Sequence, residues 1–413
     1  MFKQKHIDSK PLSVLFFLFI FVIYAVVYMT KTIFSSALAV IVEQGVMTKS
    51  ETGLINAVFW LVYGIFQVFG GFAADKYSPY KLIMIGLVGS VISNVVIFLN
   101  QSYAVIMVAW VFNAAVQFGI WPGIFKIAST QLKPSFRSMA VYWLLFATSF
   151  GMGVSLLVAS FVKNWVNNFL VSTISLSSLV IIYFFLNRFL DKRMVEEEIE
   201  FSDASVKGVE AKQPMLPLAL SSGLVSFMFI CFFRVAIDNG IKMMTPVMLM
   251  ETYDTLPAAI STRLSVILIA FSAVGTLVAG FVKKKITENE ITAQLILYSV
   301  SILPLALVCF IGKIQHLWIL LSLSFAIMLV QAASPFAQSF AALRFKKHDR
   351  IGTVSGILNA TASFGNVFAS YVFTKLAETT SWQTVTLSWL ITIFTCVFIC
   401  TFVLPKWTRF IKD

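Results

Sequence analysis

The stretch that decides the fold is residues 54–99, which read LINAVFWLVYGIFQVFGGFAADKYSPYKLIMIGLVGSVISNVVIFL. Two apolar runs, 54–74 and 82–99, are joined there by a short turn that carries Asp75 and Lys76. A helix that crosses a bilayer needs about 20 predominantly apolar residues, so each run is long enough to cross a membrane. The turn is too short to hold a folded domain, and the stretch therefore predicts two adjacent membrane-spanning helices.

Ten further runs of the same kind lie elsewhere in the 413 residues. The twelve predicted runs, in chain order, are 13–41, 54–74, 82–99, 103–128, 139–162, 168–188, 217–250, 258–282, 291–312, 317–343, 352–375 and 383–404. The only long polar stretch, Asp191 to Pro214, separates the sixth run from the seventh. The sequence thus predicts an all-α integral membrane protein with twelve transmembrane helices in two six-helix pseudo-symmetric halves, 1–190 and 216–413, joined by a cytoplasmic linker, 191–215.

The composition argues against a water-soluble domain, and the lack of catalytic motifs argues against an enzyme. Apolar residues make up 59% of the chain and charged residues 12%, with a mean hydropathy of +0.88, whereas soluble domains carry about 45–50% and about 25%. The sequence holds no G-x-x-x-x-G-K-[ST] motif, no nucleophile elbow and no paired acid–base motif. The four Cys residues lie in apolar runs without metal-ligand spacing. We therefore expect no catalytic activity, no cofactor and no metal, and transport driven by gradients.

The distribution of Lys and Arg predicts the orientation in the membrane. Of the 31 Lys and Arg residues, 22 fall in segments that lie inside if both termini are cytoplasmic, and five fall in the opposite loops. Loops rich in Lys and Arg stay on the cytoplasmic side. We therefore expect a multi-pass protein of the cell (cytoplasmic) membrane with both termini cytoplasmic. The same bias explains the net charge of +12, which is a topology signal rather than a sign of nucleic-acid binding.

The turn after the second run, Gly70–Lys81, is similar to the signature of the major facilitator superfamily. The resemblance implies a conformational latch on the cytoplasmic side. In that latch Gly71 lets two helices approach, and Asp75, next to Lys76, faces the positive end of a neighbouring helix dipole. The matching stretch of the second half, residues 280–285, lacks the Asp. We therefore expect the latch in the first half only.

A short internal similarity supports a repeat of six helices. Residues 147–151 read ATSFG and residues 360–365 read ATASFG, in the fifth and eleventh runs. These runs are equivalent in a six-plus-six repeat, and small residues there let helices pack closely.

Three segments of the first half resemble the organophosphate:phosphate antiporter family, which includes glycerol-3-phosphate and hexose-phosphate carriers. The segments are Tyr28–Phe34, Val42–Gly45 and Phe118–Lys126. The resemblance implies that Lys31 takes the position of a substrate-binding Arg, and that Trp121 belongs to a Trp-Pro pair followed by a base.

The second half departs from that family. Where the family has an Arg in helix seven, at a fixed distance before a Pro, counting back from Pro246 gives Asp238. Arg234 and Lys242 flank Asp238 at four-residue intervals, so the three share one helix face. The helix-five His of the family is replaced by Ala147. These departures leave the phosphate-ester specificity open.

Charged side chains inside a span are costly, by about 2.5–3.5 kcal/mol on insertion scales, and normally face a cavity or a partner. Lys31 and Arg234 lie near the middle of helices one and seven, which line the central cavity in the resembled fold. We expect these two bases to clamp an anion, with Asp238 neutralising Arg234 or Lys242 or carrying a proton. The predicted substrate-binding residues are Lys31, Arg234, Asp238, Lys126, Tyr28, Lys242, Trp121 and Tyr63. Two alternatives stay open: Lys126 only snorkels to the interface, and Asp238 forms a purely structural ion pair.

These observations together predict a secondary active transporter that moves a small organic anion, such as a phosphate ester or carboxylate, by alternating access. Exchange against phosphate or another anion fits the sequence, and so does proton symport. One alternative is proton-coupled multidrug efflux with Asp238 as the proton carrier. Another is a membrane sensor that binds its ligand without moving it. The expected partners are the substrate, the lipid bilayer and a coupling ion, and the chain is expected to be a monomer.

Overall fold

The computed structural model of the protein describes residues 2–7, 9–191, 195–199, 215–348 and 350–412. Each of the twelve predicted runs falls on helix. Within the described residues, nine helical segments are long and apolar enough to cross a membrane, and a shorter apolar helix covers Phe146–Phe161. The predicted helical membrane architecture is therefore confirmed.

The helices before the polar stretch follow the predicted order. They are α1 Lys10–Ser36, α2 Leu38–Glu43, α3 Lys49–Lys76, α4 Pro79–Leu99, α5 Tyr103–Val116, α6 Ile120–Thr130, α7 Pro134–Phe161 and α8 Asn167–Asp191. A 3₁₀ turn, Gln117–Gly119, joins α5 to α6.

The helices after the polar stretch are more often interrupted. They are α9 Met215–Ser222, α10 Leu224–Thr252, α11 Ala258–Leu264, α12 Val266–Lys285, α13 Glu290–Val308, α14 His316–Ala332, α15 Ala341–Leu343, α16 Ile351–Phe368, α17 Thr374–Thr379 and α18 Trp382–Lys412. Two π-helical turns, Phe336–Phe340 and Ala369–Phe373, and a 3₁₀ turn, Arg344–His348, interrupt them further.

Single-residue breaks divide runs that the sequence predicts as single helices. They lie at Ala37, Gly223, Ser265 and Ala333. Gly223 has a φ of 85°, in the left-handed region that glycine adopts without a steric penalty. Apolar periodicity does not reveal such breaks, because the residues on both sides remain apolar.

A two-stranded antiparallel sheet is the one departure from helix among the described elements. Strand β1, Phe2–His6, pairs with strand β2, Val195–Ile199, from Phe2 opposite Ile199 to His6 opposite Val195. Strand β2 lies within the segment 191–215, which the sequence predicts as a cytoplasmic linker. Neither segment has the alternating apolar pattern of a half-buried strand, so hydropathy gave no signal for the pairing.

The chain forms two compact units. Unit 1 comprises Met1–Phe34, Ile65–Val158 and Val162–Glu210, and unit 2 comprises Ser35–Gly64, Ala159–Phe161 and Ala211–Asp413. The boundary crosses the predicted N-terminal half, because the segment 35–64 packs with helices of the C-terminal half. A division of the chain at its polar stretch, into 1–190 and 216–413, remains a prediction.

Each unit has its own apolar core held by close helix contacts. In unit 1, α4 packs against α5, α6 and α8. A Cβ atom added to Gly86 would overlap the Ile120 side chain, so the glycine is what allows this approach. In unit 2, α10 packs against α16 and α18, and α12 packs against α14.

The internal similarity of the two halves corresponds to the same helix contact. In unit 1, a Cβ atom at Gly151 of α7 would overlap the Ala25 carbonyl oxygen of α1. In unit 2, a Cβ atom at Gly365 of α16 would overlap the Phe232 carbonyl oxygen of α10. Gly151 thus lets α7 approach α1, and Gly365 lets α16 approach α10.

Candidate functional site

Lys31 lies in α1 and is buried, with 5% of its surface exposed. Its Nζ atom lies 5.5 Å from the centroid of the Tyr28 ring, one turn earlier on the helix. An ammonium group at this distance from an aromatic face gains a cation–π attraction, which is stronger where water is excluded. Unit 1 therefore holds a buried cation beside an aromatic ring.

Aromatic side chains extend from Tyr28 to the other predicted residues of unit 1. The ring centroids of Tyr24 and Tyr28 are 6.0 Å apart, those of Tyr24 and Trp121 are 4.8 Å apart, and those of Trp121 and Phe125 are 5.8 Å apart. Lys126 follows Phe125 on α6 and is half-buried. The structure therefore groups Lys31, Tyr28 and Trp121 along one row of rings.

Arg234 lies in α10 with 4% of its surface exposed. Its Nε atom is buried and has no hydrogen-bond partner, and no hydrogen bond or ion pair joins Arg234 to any other described residue. The uncharged groups close enough to interact with it electrostatically are Cys231, Tyr298, Cys396 and Cys400. A buried charge without a counter-charge is costly. Among the described residues, none forms an ion pair with Arg234.

Asp238 pairs with Lys242 rather than with Arg234. The Lys242 Nζ atom lies 2.7 Å from Asp238 Oδ1 and donates a hydrogen bond of 2.8 Å to Asp238 Oδ2. It also donates to Ser272 Oγ on α12 at 2.9 Å. Of the two bases that the sequence offers as partners of Asp238, the structure thus pairs it with Lys242 and not with Arg234.

Tyr63, the remaining predicted aromatic residue, belongs to unit 2. Its ring stacks on Phe59 with centroids 6.2 Å apart and meets Trp60 edge-on at 5.8 Å. Unit 2 therefore contains Tyr63 together with Arg234, and unit 1 contains Lys31. The clamp of Lys31 and Arg234 on one anion remains a prediction.

The predicted latch is described only in part. Gly71, Asp75 and Lys76 all lie in the last two turns of α3, and Lys76 is exposed. The surroundings of Gly71 and the side chain of Asp75 lie outside the described residues. A Cβ atom at the adjacent Gly70 would overlap the Phe118 carbonyl oxygen, so glycine does permit close helix packing at this turn.

At the opposite ends of the helices, three residues form a cluster that we call the Lys49 cluster: Lys49, Glu251 and Trp382. The Lys49 Nζ atom donates to both carboxylate oxygens of Glu251, at 2.8 and 2.9 Å. Trp382 Nε1 donates to the same carboxylate at 3.0 Å, and Lys49 Nζ lies 5.4 Å from the centroid of the Trp382 ring. The cluster joins the start of α3 to the end of α10 and the start of α18.

Two further carboxylates tie the same ends together. Glu43 Oε1 accepts a hydrogen bond of 2.9 Å from the Ala258 amide at the start of α11. Glu378 Oε2 accepts one of 2.7 Å from the Ser50 amide at the start of α3. Gly45, with a φ of 64°, lies two residues after Glu43 and turns the chain just past the end of α2. The sequence reasoning assigned no role to the residues of these contacts, which are Glu43, Lys49, Glu251, Glu378 and Trp382.

The Glu378 contact predicts a pH-dependent contribution to stability. The neighbouring Ser50 side chain, helped by the Ser50 amide and by Lys375, holds the pKa of the Glu378 carboxyl below its usual value. A lowered pKa in the folded state means that the contact stabilises the fold above the usual Glu range of about 4.3 and loses this effect as the pH falls through the lowered pKa. Glu378→Gln should therefore lower the thermal midpoint slightly at pH 7 and leave it unchanged near pH 3.

The matched control is Asp254→Asn, which removes an exposed carboxylate near the end of α10. Thermal midpoints are measured from pH 3 to pH 8 for both variants and for the wild type. A Glu378→Gln difference that stays constant over this range would contradict the assignment.

A buried acid at the other end of the second half also escaped the sequence reasoning. Glu290, with 2% of its surface exposed, starts α13. Its Oε1 atom accepts a hydrogen bond of 2.8 Å from Arg344 Nε, and its Oε2 atom accepts one of 3.1 Å from Trp407 Nε1. The sequence predicts no acid with a latch role in this half, since residues 280–285 lack one. Glu290 joins three helical segments there instead.

No group of three or more His, Cys, Asp and Glu side chains in the described part of the chain could hold a metal ion. The described part of the chain thus combines apolar helices of membrane-spanning length with buried cations and with ion pairs at helix ends. The chain matches the model of the Major Facilitator Superfamily over residues 20–311. It therefore belongs to that family, as the Gly70–Lys81 signature predicts.

Two proteins whose sequences are similar to this chain carry names that belong to the organophosphate:phosphate antiporter branch. A "Probable hexose phosphate transport protein" of Chlamydia trachomatis is 22% identical over 414 residues, which cover 93% of this chain and 88% of that protein. A "Membrane sensor protein UhpC" of Escherichia coli is 27% identical over 134 residues, or 32% of this chain and 30% of that protein. These relatives confirm the predicted branch of the family.

Among solved structures, a bacterial homologue of the human lysosomal transporter Spinster, in an inward-facing and occupied conformation, has a TM-score of 0.77. It is 14% identical and covers 98% of this chain and 99% of that one. At this identity the likeness supports the fold alone.

Proposed function

We propose that the protein is a secondary active transporter that moves a small organic anion across the cell membrane by alternating access. The observation that carries the proposal is Arg234, a guanidinium buried in a membrane span with no hydrogen bond or ion pair to any described residue. A planar guanidinium binds carboxylate and phosphate groups through paired hydrogen bonds. An anionic substrate would supply the missing counter-charge.

Lys31 supports the same substrate class from the first helix. It is a buried cation of unit 1, and its Nζ atom lies beside the Tyr28 ring. Aromatic side chains beside a cation suit a substrate that combines an anionic group with a larger body, because rings provide contact area and the cation fixes the charged end. The relative named for hexose phosphate transport favours a phosphate ester among such anions.

The contacts at the helix ends support alternating access. If both termini are cytoplasmic, as the Lys and Arg bias indicates, then the Lys49 cluster, the Glu43 contact with Ala258 and the Glu378 contact with Ser50 lie at the outer face. All three join segments of the first six helices to segments of the last six. Ionic and hydrogen-bonded contacts of this kind can break and reform when one set of helices rocks against the other.

A double-mutant cycle tests the Lys49–Glu251 pair. The two side chains retain exposed fractions of 13% and 29%, so we expect a coupling free energy of about 0.5–1 kcal/mol. Lys49→Met and Glu251→Gln should each lower the thermal midpoint. The thermal midpoint of the double variant should be no lower than that of the less stable single variant. Additive effects of the two substitutions would show that the pair contributes no coupling.

The experiment that tests the function is thermal stabilisation of the purified protein by candidate ligands. Phosphate esters, sugar acids, carboxylates and cationic drugs are compared, because a ligand that binds the native state raises the midpoint by mass action. Stabilisation by anions, followed by uptake of the same anion into proteoliposomes, is the expected result. Stabilisation by cationic compounds alone would overturn the anion proposal in favour of drug efflux.

Ligand sensing without transport is a second candidate, and one observation favours it. The relative named as a membrane sensor matches about a third of this chain. Proteoliposome uptake separates the two functions, because a sensor would be stabilised by the anion and would not accumulate it.

A further inference from the structure

We propose that the ends of α12 and α15 together form a binding site for an anionic phospholipid. Three consecutive lysines, Lys283–Lys285, end α12. They lie in the stretch that matches the first-half turn and lacks its acid. On the orientation that the Lys and Arg bias predicts, this end of α12 reaches the cytoplasmic leaflet. The site lies outside the residues of the proposed transport function and binds a lipid that is not transported.

Two contacts hold the lysines against α15. The Lys283 Nζ atom lies 3.3 Å from the centroid of the Phe340 ring, in the π-helical turn directly before α15. Arg344, directly after α15, donates from Nη2 to the Glu288 carbonyl oxygen at 3.1 Å, three residues beyond Lys285. The loop that follows the lysines is therefore fastened to α15, and the two helix ends form one surface.

The acids beside this surface leave an excess of positive charge. Glu290 is buried and accepts a hydrogen bond of 2.8 Å from Arg344 Nε, so these two charges balance each other. Lys284, Lys285 and Glu288 are exposed and form no ion pair with any described residue. The three lysines thus exceed the one exposed acid by two charges. A headgroup phosphate is complementary to such a cluster, because basic residues at the cytoplasmic end of a span attract anionic lipids.

An exposed apolar stripe leads to the lysines along α12. Val274, Leu277 and Phe281 are exposed, the last at 60%, and their spacing of three and four residues places them on one helix face. Leu343 on α15 is exposed at 54%. Apolar side chains on a membrane span contact acyl chains, and lysines near its end reach the headgroups. A phospholipid carries both parts in one molecule and therefore fits this surface better than free phosphate does.

The matching turn of the first half is packed against protein instead. A Cβ atom at Gly70 would overlap the Phe118 carbonyl oxygen, whereas a Cβ atom at Gly280 meets no atom within 4 Å. The surface beside Gly280 is thus open, and the lysines follow it where the first half has Asp75 and Lys76. The two turns have the same place in their halves and different partners.

The first experiment compares phosphatidylglycerol with phosphatidylcholine of identical acyl chains, each added to purified, delipidated protein. Affinity is measured by thermal stabilisation, and lipid retention is measured by native mass spectrometry. Phosphatidylglycerol should bind about tenfold more tightly than phosphatidylcholine, because only its headgroup carries a net negative charge. Lys284→Gln combined with Lys285→Gln should weaken phosphatidylglycerol binding by about 30-fold, since each lysine contributes a factor of about five.

The matched control is Lys406→Gln combined with Arg409→Gln. These two exposed residues lie at the end of α18, so the control removes the same charge from a different helix end. It should weaken phosphatidylglycerol binding much less than the α12 variant does. An equal loss in the two double variants would show a general effect of net charge and would overturn the site.

Two further measurements test the ligand and the place of binding. Glycerophosphoglycerol, the same headgroup without acyl chains, should not compete with phosphatidylglycerol. A phosphatidylglycerol analogue with a photoreactive headgroup, in phosphatidylcholine vesicles, should label peptides that contain the ends of α12 and α15.

Three other results would overturn the proposal: equal affinity for the two lipids, competition by glycerophosphoglycerol, and labelling that spares these two helix ends. The Lys284→Gln, Lys285→Gln variant should still be stabilised by the organic anion that stabilises the wild type. The lipid site and the proposed transport function can therefore fail independently of each other.

Discussion

Arg234→Met is expected to abolish anion binding while leaving the empty protein at least as stable as the wild type. Loss of one partner from a buried, hydrogen-bonded charge pair costs about 2–5 kcal/mol, which corresponds to a loss of affinity of roughly 30-fold to 4,000-fold. In the empty protein the guanidinium has no partner among the described residues. An apolar side chain of similar length removes the cost of that buried charge.

The measurement combines two midpoints for each variant, with and without the stabilising anion. The control is Arg234→Lys, which keeps the charge and loses the paired hydrogen bonds of the guanidinium. It should retain weak binding and should not gain stability. A large drop in the midpoint of empty Arg234→Met protein, with anion binding intact, would show that Arg234 is a structural residue and not a ligand.

The second large effect is expected from Gly64→Leu in α3. A Cβ atom there would lie 2.7 Å from Ser363 Cβ on α16. Further along α3, a Cβ atom at Gly53 would overlap Thr374 Oγ1 and the Ser370 carbonyl oxygen. Gly53 and Gly64 thus allow α3 to pack closely against the segment from α16 to α17. This contact lies on the same side of unit 2 as the Lys49 cluster. Forcing a side chain into such a contact costs about 1–3 kcal/mol.

In the proposed alternating-access cycle, we expect Gly64→Leu to separate these helices and to lower the population of the state in which they are in contact by roughly 5-fold to 150-fold. Lys49 should then become reactive toward amine reagents, which mass spectrometry detects, and uptake should fall at least tenfold. Gly280→Leu is the matched control, because a Cβ atom at Gly280 meets no atom within 4 Å. Unchanged Lys49 reactivity in a folded Gly64→Leu protein would contradict the gating role of this contact.

Much of the fold could be predicted because its signals are local. Apolar runs of the right length specify the spans, and four-residue spacing puts Arg234, Asp238 and Lys242 on one helix face. The same spacing allowed the ion pair between Asp238 and Lys242. It did not decide which base would remain unpaired, because that depends on where the long Lys242 side chain finds a second partner. The partner, Ser272, lies on another helix, 30 residues away.

The contacts at the helix ends were not predictable for a related reason. Lys49 and Glu251 are separated by 202 residues, and Glu290 and Trp407 by 117. Each of these residues lies at a polar boundary between runs, where charged side chains are common and most contact only water. Hydropathy identifies the boundary, but only tertiary packing determines which charges meet there.

The Lys49 cluster also gives the protein an optical reporter. The Trp382 indole donates to the Glu251 carboxylate, and its ring lies next to the Lys49 ammonium group. The energy of its excited state therefore depends on one negative and one positive charge close to the ring. When the cluster separates, the indole exchanges these charges for water, and its emission wavelength and lifetime must change. Opening of this face could therefore be followed in unlabelled protein by time-resolved fluorescence, with Trp382→Phe identifying the contribution of this one indole.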